Sequence, residues 1–205
     1  EALALAGDAV RARAERMELA GDERLCAALH VCAVREVFEE AGILLSPEPV
    51  ADGGRLAAAR ARVLGGAPFA GELAALAARP ALADLAYVAR FVTPAGLPRR
   101  FDTRFFAVRA PDGQEAAVHA GEADAGDWFA PGELLARAAG GEATVMPPTR
   151  VMLAELTRHA DVASALADLG SREVCGILFT LAMARQPMPD HLPTVAEVEA
   201  MGARA

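Results

Sequence analysis

The segment "REVFEEAGI", residues 35–43, restricts the fold of this chain more than any other. Its spacing places Glu36, Glu39 and Glu40 on one side of a helix, because residues three and four positions apart are neighbours on a helix surface. Like charges at this spacing repel by about 0.2–0.5 kcal/mol per pair. We therefore expect an acidic helical turn that binds something positive, and we expect Gly42 to end the helix.

Three carboxylates in one row are the hard oxygen ligands that Mg²⁺ and Mn²⁺ prefer. The charge pattern alone also fits a second interpretation, a solvated acidic face. Arg35, directly before the first glutamate, either orients one of the carboxylates or is an ordinary surface charge.

The composition limits the class of protein. A chain of 205 residues with 54% hydrophobic and 23% charged residues predicts one large globular domain, or one domain with an appendage. The net charge of -8 argues against a general nucleic-acid-binding surface. No apolar run reaches the length of a membrane span. All 20 basic residues are arginine, which excludes a P-loop lysine or a Schiff-base lysine.

The cysteines and histidines do not indicate a metal site. Cys26, Cys32 and Cys175 fit no zinc spacing, and we expect buried thiols in a reducing cytoplasm. The histidines have no metal-ligand spacing and are expected to be structural or on the surface.

Helical patterns dominate the first part of the chain. Helices are predicted over residues 1–20, over residues 23–41 with Asp22 as N-cap, and across much of residues 51–86. The predicted apolar side of the helix over 23–41 consists of Leu25, Leu29, Val31, Cys32, Val34 and Phe38.

Strand patterns follow. "LAYVARFVTP" and "RRFDTRFFAVRA" alternate like strands joined by a turn, "ILL" indicates a buried extended segment, and "AGEADAGDWFAP" is a loop that runs into a short strand. "PGELLARAAGG" predicts a helix, another helix is expected after Pro148, and "EVCGILFTLAMAR" predicts an apolar helix. Helices flanking a few hydrophobic strands predict an α/β or α+β fold.

The string over residues 35–43 resembles the second half of the Nudix hydrolase box, Arg-Glu-aliphatic-x-Glu-Glu-x-Gly-aliphatic. Gly21 occupies the position of the upstream glycine of that box. Ala27 stands where the family has a glutamate that braces the arginine, so Arg35 would need another partner.

Further stretches resemble the bacterial relatives of the peroxisomal coenzyme A diphosphatase. They are "ARFVTPAGLPRRFDTRFFAVRAPDGQEA", "GEADAGDWFAPGELLARAAGGEATVMPPTR" and a helical insert at about 46–86. The resemblance implies a Nudix-like α/β/α sandwich with a mixed sheet, a domain over 1–170, and a helical extension over 171–205 packed on it. That branch also has an N-terminal strand with a Gly-Gly pair, which this chain does not show, so we expect the sequence to begin late.

The same resemblance implies a Mg²⁺- or Mn²⁺-dependent hydrolase that cleaves a pyrophosphate linkage in a nucleoside diphosphate derivative. Coenzyme A or acyl-CoA is the preferred substrate, and ADP-ribose or an NADH-type dinucleotide is the alternative. A cytoplasmic location, a small-molecule partner and a possible homodimer are expected, with no nucleic acid or membrane partner. A hypothesis from another class is a nucleotide-sensing module without turnover.

Carried over to this chain, the resemblance implies that Glu39 and Glu40 are the leading metal ligands and catalytic residues, with Glu36 as a third ligand. Glu122 is the expected general base, and Asp124 and Glu115 are weaker candidates.

Arg99, Arg100 and Arg104 are the expected ligands of the substrate phosphates. On a strand, residues 100 and 104 would share a face, and Asp102 on that face is as well placed to pair with either of them. Phe101, Phe105 and Trp128 are expected in the core.

Overall fold

The computed structural model describes residues 7–48, 50–93, 95–118, 126–178 and 190–205. The chain forms two units, each with its own internal contacts. The first unit comprises Glu1–Leu85 and Val108–Asp127, and the second comprises Ala86–Ala107 and Trp128–Ala205.

The first unit is helical within the described residues. Its helices are α1 (Gly7–Arg16), α2 (Glu23–Ala41), α3 (Gly53–Leu64) and α4 (Phe69–Leu76). The predicted bounds of α2 are confirmed, because Asp22 Oδ1 accepts the Leu25 N–H at 3.0 Å and so caps the first turn. The helical pattern predicted up to residue 86 ends earlier, at Leu76, where Ala77 takes the left-handed conformation.

The buried side of α2 differs from the predicted one. Cys26, His30, Val34 and Phe38 are buried, at a spacing of four residues. Of the predicted apolar side, Val34 and Phe38 are buried, whereas Leu25 is 41% exposed, and Cys32 is also exposed, contrary to the expected buried thiol. Apolar residues surround most of this helix, so their pattern does not specify which side packs inward.

The segment after α2 is buried as predicted, but it is not a strand. Ile43, Leu44 and Leu45 are buried. The side chain of Gln114 takes the place of a neighbouring strand, because its Oε1 accepts from Leu44 N at 2.8 Å and its Nε2 donates to Leu44 O at 3.0 Å. The backbone polar groups of Leu44 are thereby satisfied.

The second unit contains a mixed sheet. Strand β1 (Ala86–Val92) pairs antiparallel with β2 (Asp102–Ala107) and parallel with β3 (Gly176–Leu178), in the order β2-β1-β3. The helices of this unit are α5 (Pro131–Ala139), α6 (Pro147–Leu156), α7 (Val162–Ser171) and α8 (Val195–Ala200). The predicted α/β class with a mixed sheet is confirmed. None of the helices in the described residues combines the length and the apolarity that a membrane crossing requires.

Two predictions for the second unit are wrong. Within the predicted apolar helix over 173–185, residues 173–175 are irregular and Gly176–Leu178 form strand β3 instead. A Cβ at Gly176 would lie 3.2 Å from Arg90 Nη1 and 3.1 Å from Ala205 Cβ, so these neighbours would have to shift to accommodate a side chain. Residues 126–130 are irregular, not the short strand expected before α5. The rest of the predicted apolar helix lies outside the described residues.

The C-terminal segment 190–205 packs into the core of the second unit. Leu192, Val198 and Ala203 are buried there with residues of β1, β3, α6 and α7. The carboxylate of Glu155 is fully buried, and its Oε2 accepts the Leu192 N–H at 2.7 Å while its Oε1 lies 2.8 Å from Arg172 Nη2. Glu155 therefore connects α6 to the C-terminal segment.

We expect Glu155→Gln to destabilise the protein in a pH-dependent way. Burial raises the pKa of Glu155, but the Leu192 N–H and Arg172 outweigh it and the net pKa is lowered. A lowered pKa contributes stability that is present above about pH 4.3 and is lost as the pH falls further. At pH 7 the variant should therefore lose about 1.5–3 kcal/mol of unfolding free energy, and this loss should shrink at pH 3.5. Urea denaturation at both pH values measures it.

The exposed Glu173, changed to Gln, is the matched control and should have little effect at either pH. An equal loss for Glu155→Gln at pH 7 and pH 3.5 would show that its charge does not contribute.

Candidate active site

The acidic turn forms the C-terminal end of α2. Glu36, Glu39 and Glu40 lie in its last two turns, and Gly42 ends the helix at φ 73°. Glu39 is half-buried, with 19% of its side chain exposed, and Glu40 is exposed. Three carboxylates at the negative end of a helix repel each other and the helix dipole, and the last turn of α2 carries no basic residue.

Arg35 lies on the same helix and contacts two of the three carboxylates. Its Nε lies 2.8 Å from Glu39 Oε1, and its Nη2 donates to Glu39 Oε2 at 3.3 Å and lies 3.6 Å from Glu36 Oε1. This hydrogen bonding to Glu39 raises the pKa of Arg35. Since Ala27 offers no carboxylate, Arg35 has its partners in Glu39 and Glu36.

The last four carbonyl groups of α2 all have hydrogen-bond donors. The oxygens of Phe38 and Ala41 accept the backbone N–H groups of Gly42 and Ala117, at 3.1 and 2.8 Å.

The carbonyl oxygens of Glu39 and Glu40 both accept hydrogen bonds from one side chain, Arg60 of α3. Its Nε and Nη2 donate to Glu39 O at 3.0 and 2.8 Å, and Nη2 also donates to Glu40 O at 2.7 Å. The backbone that bears the acidic turn is thus held by its own C-cap, Gly42, and by two separate segments of the chain.

Three glutamates on this turn fit a divalent cation in their chemistry. Among the described residues, their oxygens do not form a preassembled cluster of three within 4.8 Å. Mg²⁺ does not need one, because it keeps several waters and takes only one or two protein carboxylates together with substrate phosphates. The exposed carboxylate of Glu40 and the partly exposed one of Glu36 suit such binding.

A second group of metal-ligating side chains lies in the second unit. Ligand atoms of Glu155, His159 and Asp168 come within 4.8 Å of one another. Arg172 already contacts both carboxylates of this group. A guanidinium ion supplies positive charge there, and the group forms a partly buried ionic network around the fully buried Glu155.

The three arginines expected at the substrate occupy different settings. Strand β2 begins only at Asp102, so Arg99 and Arg100 lie in the preceding loop, and the prediction that residues 100 and 104 share a strand face is wrong. Arg100 Nε donates to Thr93 O at 3.0 Å. Arg104 lies within β2, with 10% of its side chain exposed.

Asp102 pairs with Arg104, one of the two partners that the sequence allowed, with 3.3 Å between Oδ1 and Nη1. It also binds Arg90 of β1 through two hydrogen bonds of 2.8 and 2.9 Å, which the sequence analysis missed. Hydrogen bonding from Arg90 lowers the pKa of Asp102 and keeps it ionised. In the sheet, Arg90 of β1 lies opposite Arg104 of β2, so Asp102 is its diagonal neighbour. The alternation of residues along the two strands is therefore the signal that could have identified the Arg90–Asp102 pair.

The aromatic predictions are confirmed only for Phe105, which packs edge-to-face on Phe91 with 5.5 Å between ring centroids. Phe101 and Trp128 are 61% and 65% exposed, so their predicted place in the core is wrong. Thr93 holds Phe101 at the strand end by accepting its N–H on Oγ1 and donating its own N–H to Phe101 O.

The expected general base, Glu122, and the weaker candidate Asp124 lie outside the described residues, while Glu115 is an exposed loop residue. Arg60 was also missed by the sequence analysis. Its signal is its position four residues after the buried Leu56 and three before the buried Val63, where an arginine on the apolar side of α3 needs a partner.

The mixed α/β fold and the acidic turn at the end of α2 define a hydrolase of the Nudix class. The chain belongs to the family described as the NUDT19 Nudix domain, whose family model matches residues 12–159. It is similar in structure to a NUDIX hydrolase from Alicyclobacillus acidocaldarius, with 30% sequence identity and a TM-score of 0.63, over 72% of this chain and 67% of that one. A comparison with curated proteins gives no match.

These two findings confirm the resemblance seen in residues 35–43, and the protein is a Nudix pyrophosphohydrolase.

We expect Gly42→Ala to destabilise the acidic turn. A side chain at φ 73° costs about 1–2 kcal/mol, and its Cβ would lie 3.1 Å from Arg60 Nη1, so Arg60 would have to move. Gly21→Ala is the matched control, because Gly21 has φ 86° but a Cβ there would have no neighbour within 4 Å among the described residues. Urea denaturation should show a larger loss of unfolding free energy at Gly42. Equal losses at both positions would show that Arg60 adds nothing to the strain.

Proposed function

We propose that this pyrophosphohydrolase cleaves the pyrophosphate linkage of coenzyme A or acyl-CoA with Mg²⁺ or Mn²⁺. The family supports the reaction, and the acidic turn supports the metal requirement. The preference for coenzyme A rests on the resemblance of residues 21–159 alone. ADP-ribose and NADH-type dinucleotides are the alternative substrates.

The observation that carries the metal requirement is the geometry of the turn itself. Glu39 is held by Arg35 and is half-buried, whereas Glu40 is exposed. We assign Glu39 and Glu40 as metal ligands and catalytic residues, and Glu36 as the third ligand. Their backbone is fixed by Arg60, Gly42 and Ala117, so the carboxylates start from defined positions.

A divalent cation would supply Lewis acidity to the phosphoryl group and would lower the pKa of an attacking water. The chain itself contributes carboxylates that bind the cation, and a base that accepts a proton from the water. Glu122 remains the proposed base by family resemblance, and the exposed Glu115 is a weaker candidate.

Arg104 is the strongest of the three proposed phosphate ligands. Arg90 and Arg104 both contact one carboxylate, that of Asp102. In the described structure the buried Nε of Arg104 has no hydrogen-bond partner. An arginine that keeps such a donor suits a phosphate oxygen. Arg99 and Arg100 are exposed loop residues that would bind phosphate only at the rim of such a site.

We also propose the domain boundaries given by the resemblance: a hydrolase domain over 1–170, with an insert at about 46–86, and an extension over 171–205. The packing of residues 190–205 into the core of the second unit supports the extension. A cytoplasmic location agrees with the three free cysteines.

We expect Glu40→Gln to reduce kcat by about two orders of magnitude or more, because amide oxygen binds a divalent cation far more weakly than a carboxylate. Formation of the two phosphomonoester products from coenzyme A, ADP-ribose and NADH, with Mg²⁺ or with EDTA, measures this and ranks the substrates. Glu48→Gln, at an exposed glutamate paired with Arg79, is the matched control. Full turnover in Glu40→Gln would remove this residue from the mechanism.

Arg104→Ala should raise KM far more than it lowers kcat, because a spectator phosphate is bound equally in the ground state and the transition state. Arg109→Ala, at an exposed arginine near Asp112, controls for the loss of charge. Steady-state kinetics on the best substrate measures both constants. Kinetics identical to the wild type would assign Arg104 to packing against Asp102 alone.

A further inference from the structure

The insert helix α3 reaches the acidic turn through Arg60, which contacts main-chain oxygens and not carboxylates. Its Nη2 lies 2.8 Å from Glu39 O and 2.7 Å from Glu40 O, and Nε lies 3.0 Å from Glu39 O. Those two residues carry the leading metal-binding carboxylates of the proposed function. One guanidinium group therefore fixes the backbone of both.

The negative charge of the acidic turn favours positive groups close to it. The C-terminal end of a helix carries roughly half a negative charge, and the last turn of α2 adds Glu39 and Glu40 without a basic residue. Arg35 offsets part of this charge but occupies the oxygens of Glu39. Arg60 offsets it from the backbone side, because it donates to the main-chain oxygens of Glu39 and Glu40.

We propose that Arg60 is a positioning residue of this hydrolase, which holds Glu39 and Glu40 in the geometry that binds the metal ion. This inference rests on the proposed function, in which these two carboxylates are ligands. It assigns the helical insert a part in catalysis, because the insert supplies the donor that fixes the catalytic turn.

Arg55 provides a matched control on the same helix. Its Nη2 donates to Ala75 O at 2.7 Å, so it also binds a main-chain oxygen in the last turn of a neighbouring helix, α4. Arg55→Ala and Arg60→Ala therefore remove the same kind of hydrogen bond. Only Arg60 binds a helix that carries the acidic turn.

The test is Mn²⁺ binding to the metal-free protein, followed by electron paramagnetic resonance, together with kcat and KM. Residues that orient metal ligands typically contribute about 10- to 100-fold to metal affinity or activity. We expect Arg60→Ala to weaken Mn²⁺ binding and to lower kcat by about this factor, with KM changed less than about twofold. Arg55→Ala should stay within about twofold of the wild type, and Arg60→Lys should fall between Arg60→Ala and the wild type.

The direction in which Arg60→Ala changes the Mn²⁺ affinity separates the effect of lost geometry from the effect of lost charge. Removal of a nearby positive charge should by itself strengthen cation binding, so weaker binding in Arg60→Ala reports lost geometry. Mn²⁺ affinity that is unchanged or increased in Arg60→Ala, or values equal to those of Arg55→Ala, would overturn the proposal.

Glu40→Gln, measured alongside, keeps the two proposals distinguishable. If the wild type binds Mn²⁺ and Glu40→Gln does not, the metal site of the proposed function holds, and Arg60→Ala alone decides the role of Arg60. If the wild type itself does not bind Mn²⁺, the metal site falls, and the role assigned to Arg60 falls with it.

Discussion

Negative charge is concentrated at the C-terminal end of α2, and positive side chains of the first unit offset it. Carboxylates gather at the helix terminus that already bears negative charge, where each is unfavourable by about 0.3–1 kcal/mol. Two arginines contact this terminus: Arg35 binds the carboxylate of Glu39, and Arg60 binds the backbone oxygens of Glu39 and Glu40. A protein under selection for stability alone would replace the glutamates, so their presence indicates function.

The bounds of α2 could be predicted because local residues set them. Asp22 caps the first turn with its own side chain, and Gly42 takes a left-handed conformation that other residues avoid. The acidic turn is equally local, since three glutamates at this spacing share a side in any helix. The side of α2 that is buried could not be predicted, because the rest of the unit decides whether Cys26 or Cys32 faces inward.

The predictions that were wrong or incomplete concern residues whose structure depends on contacts with residues distant in the sequence. Gly176 lies in a strand because it pairs with Arg90 of β1 and accepts the Ala205 N–H, and both of these residues are distant in the sequence. Phe101 precedes β2, where its backbone pairs with Thr93 and its ring is exposed. Arg60 could be singled out as an arginine on an apolar helix side, but its partners on α2 are known only from the fold.

The absence of lysine from this chain has a structural counterpart in how its positive charges are used. Arg60 binds two carbonyl oxygens, Arg90 binds both oxygens of Asp102, and Arg62 does the same with Glu72. Each contact needs two or more donors at fixed angles, which a planar guanidinium supplies and an ammonium group does not. At the acidic turn this difference matters most, because one side chain there must fix two successive residues without touching their carboxylates.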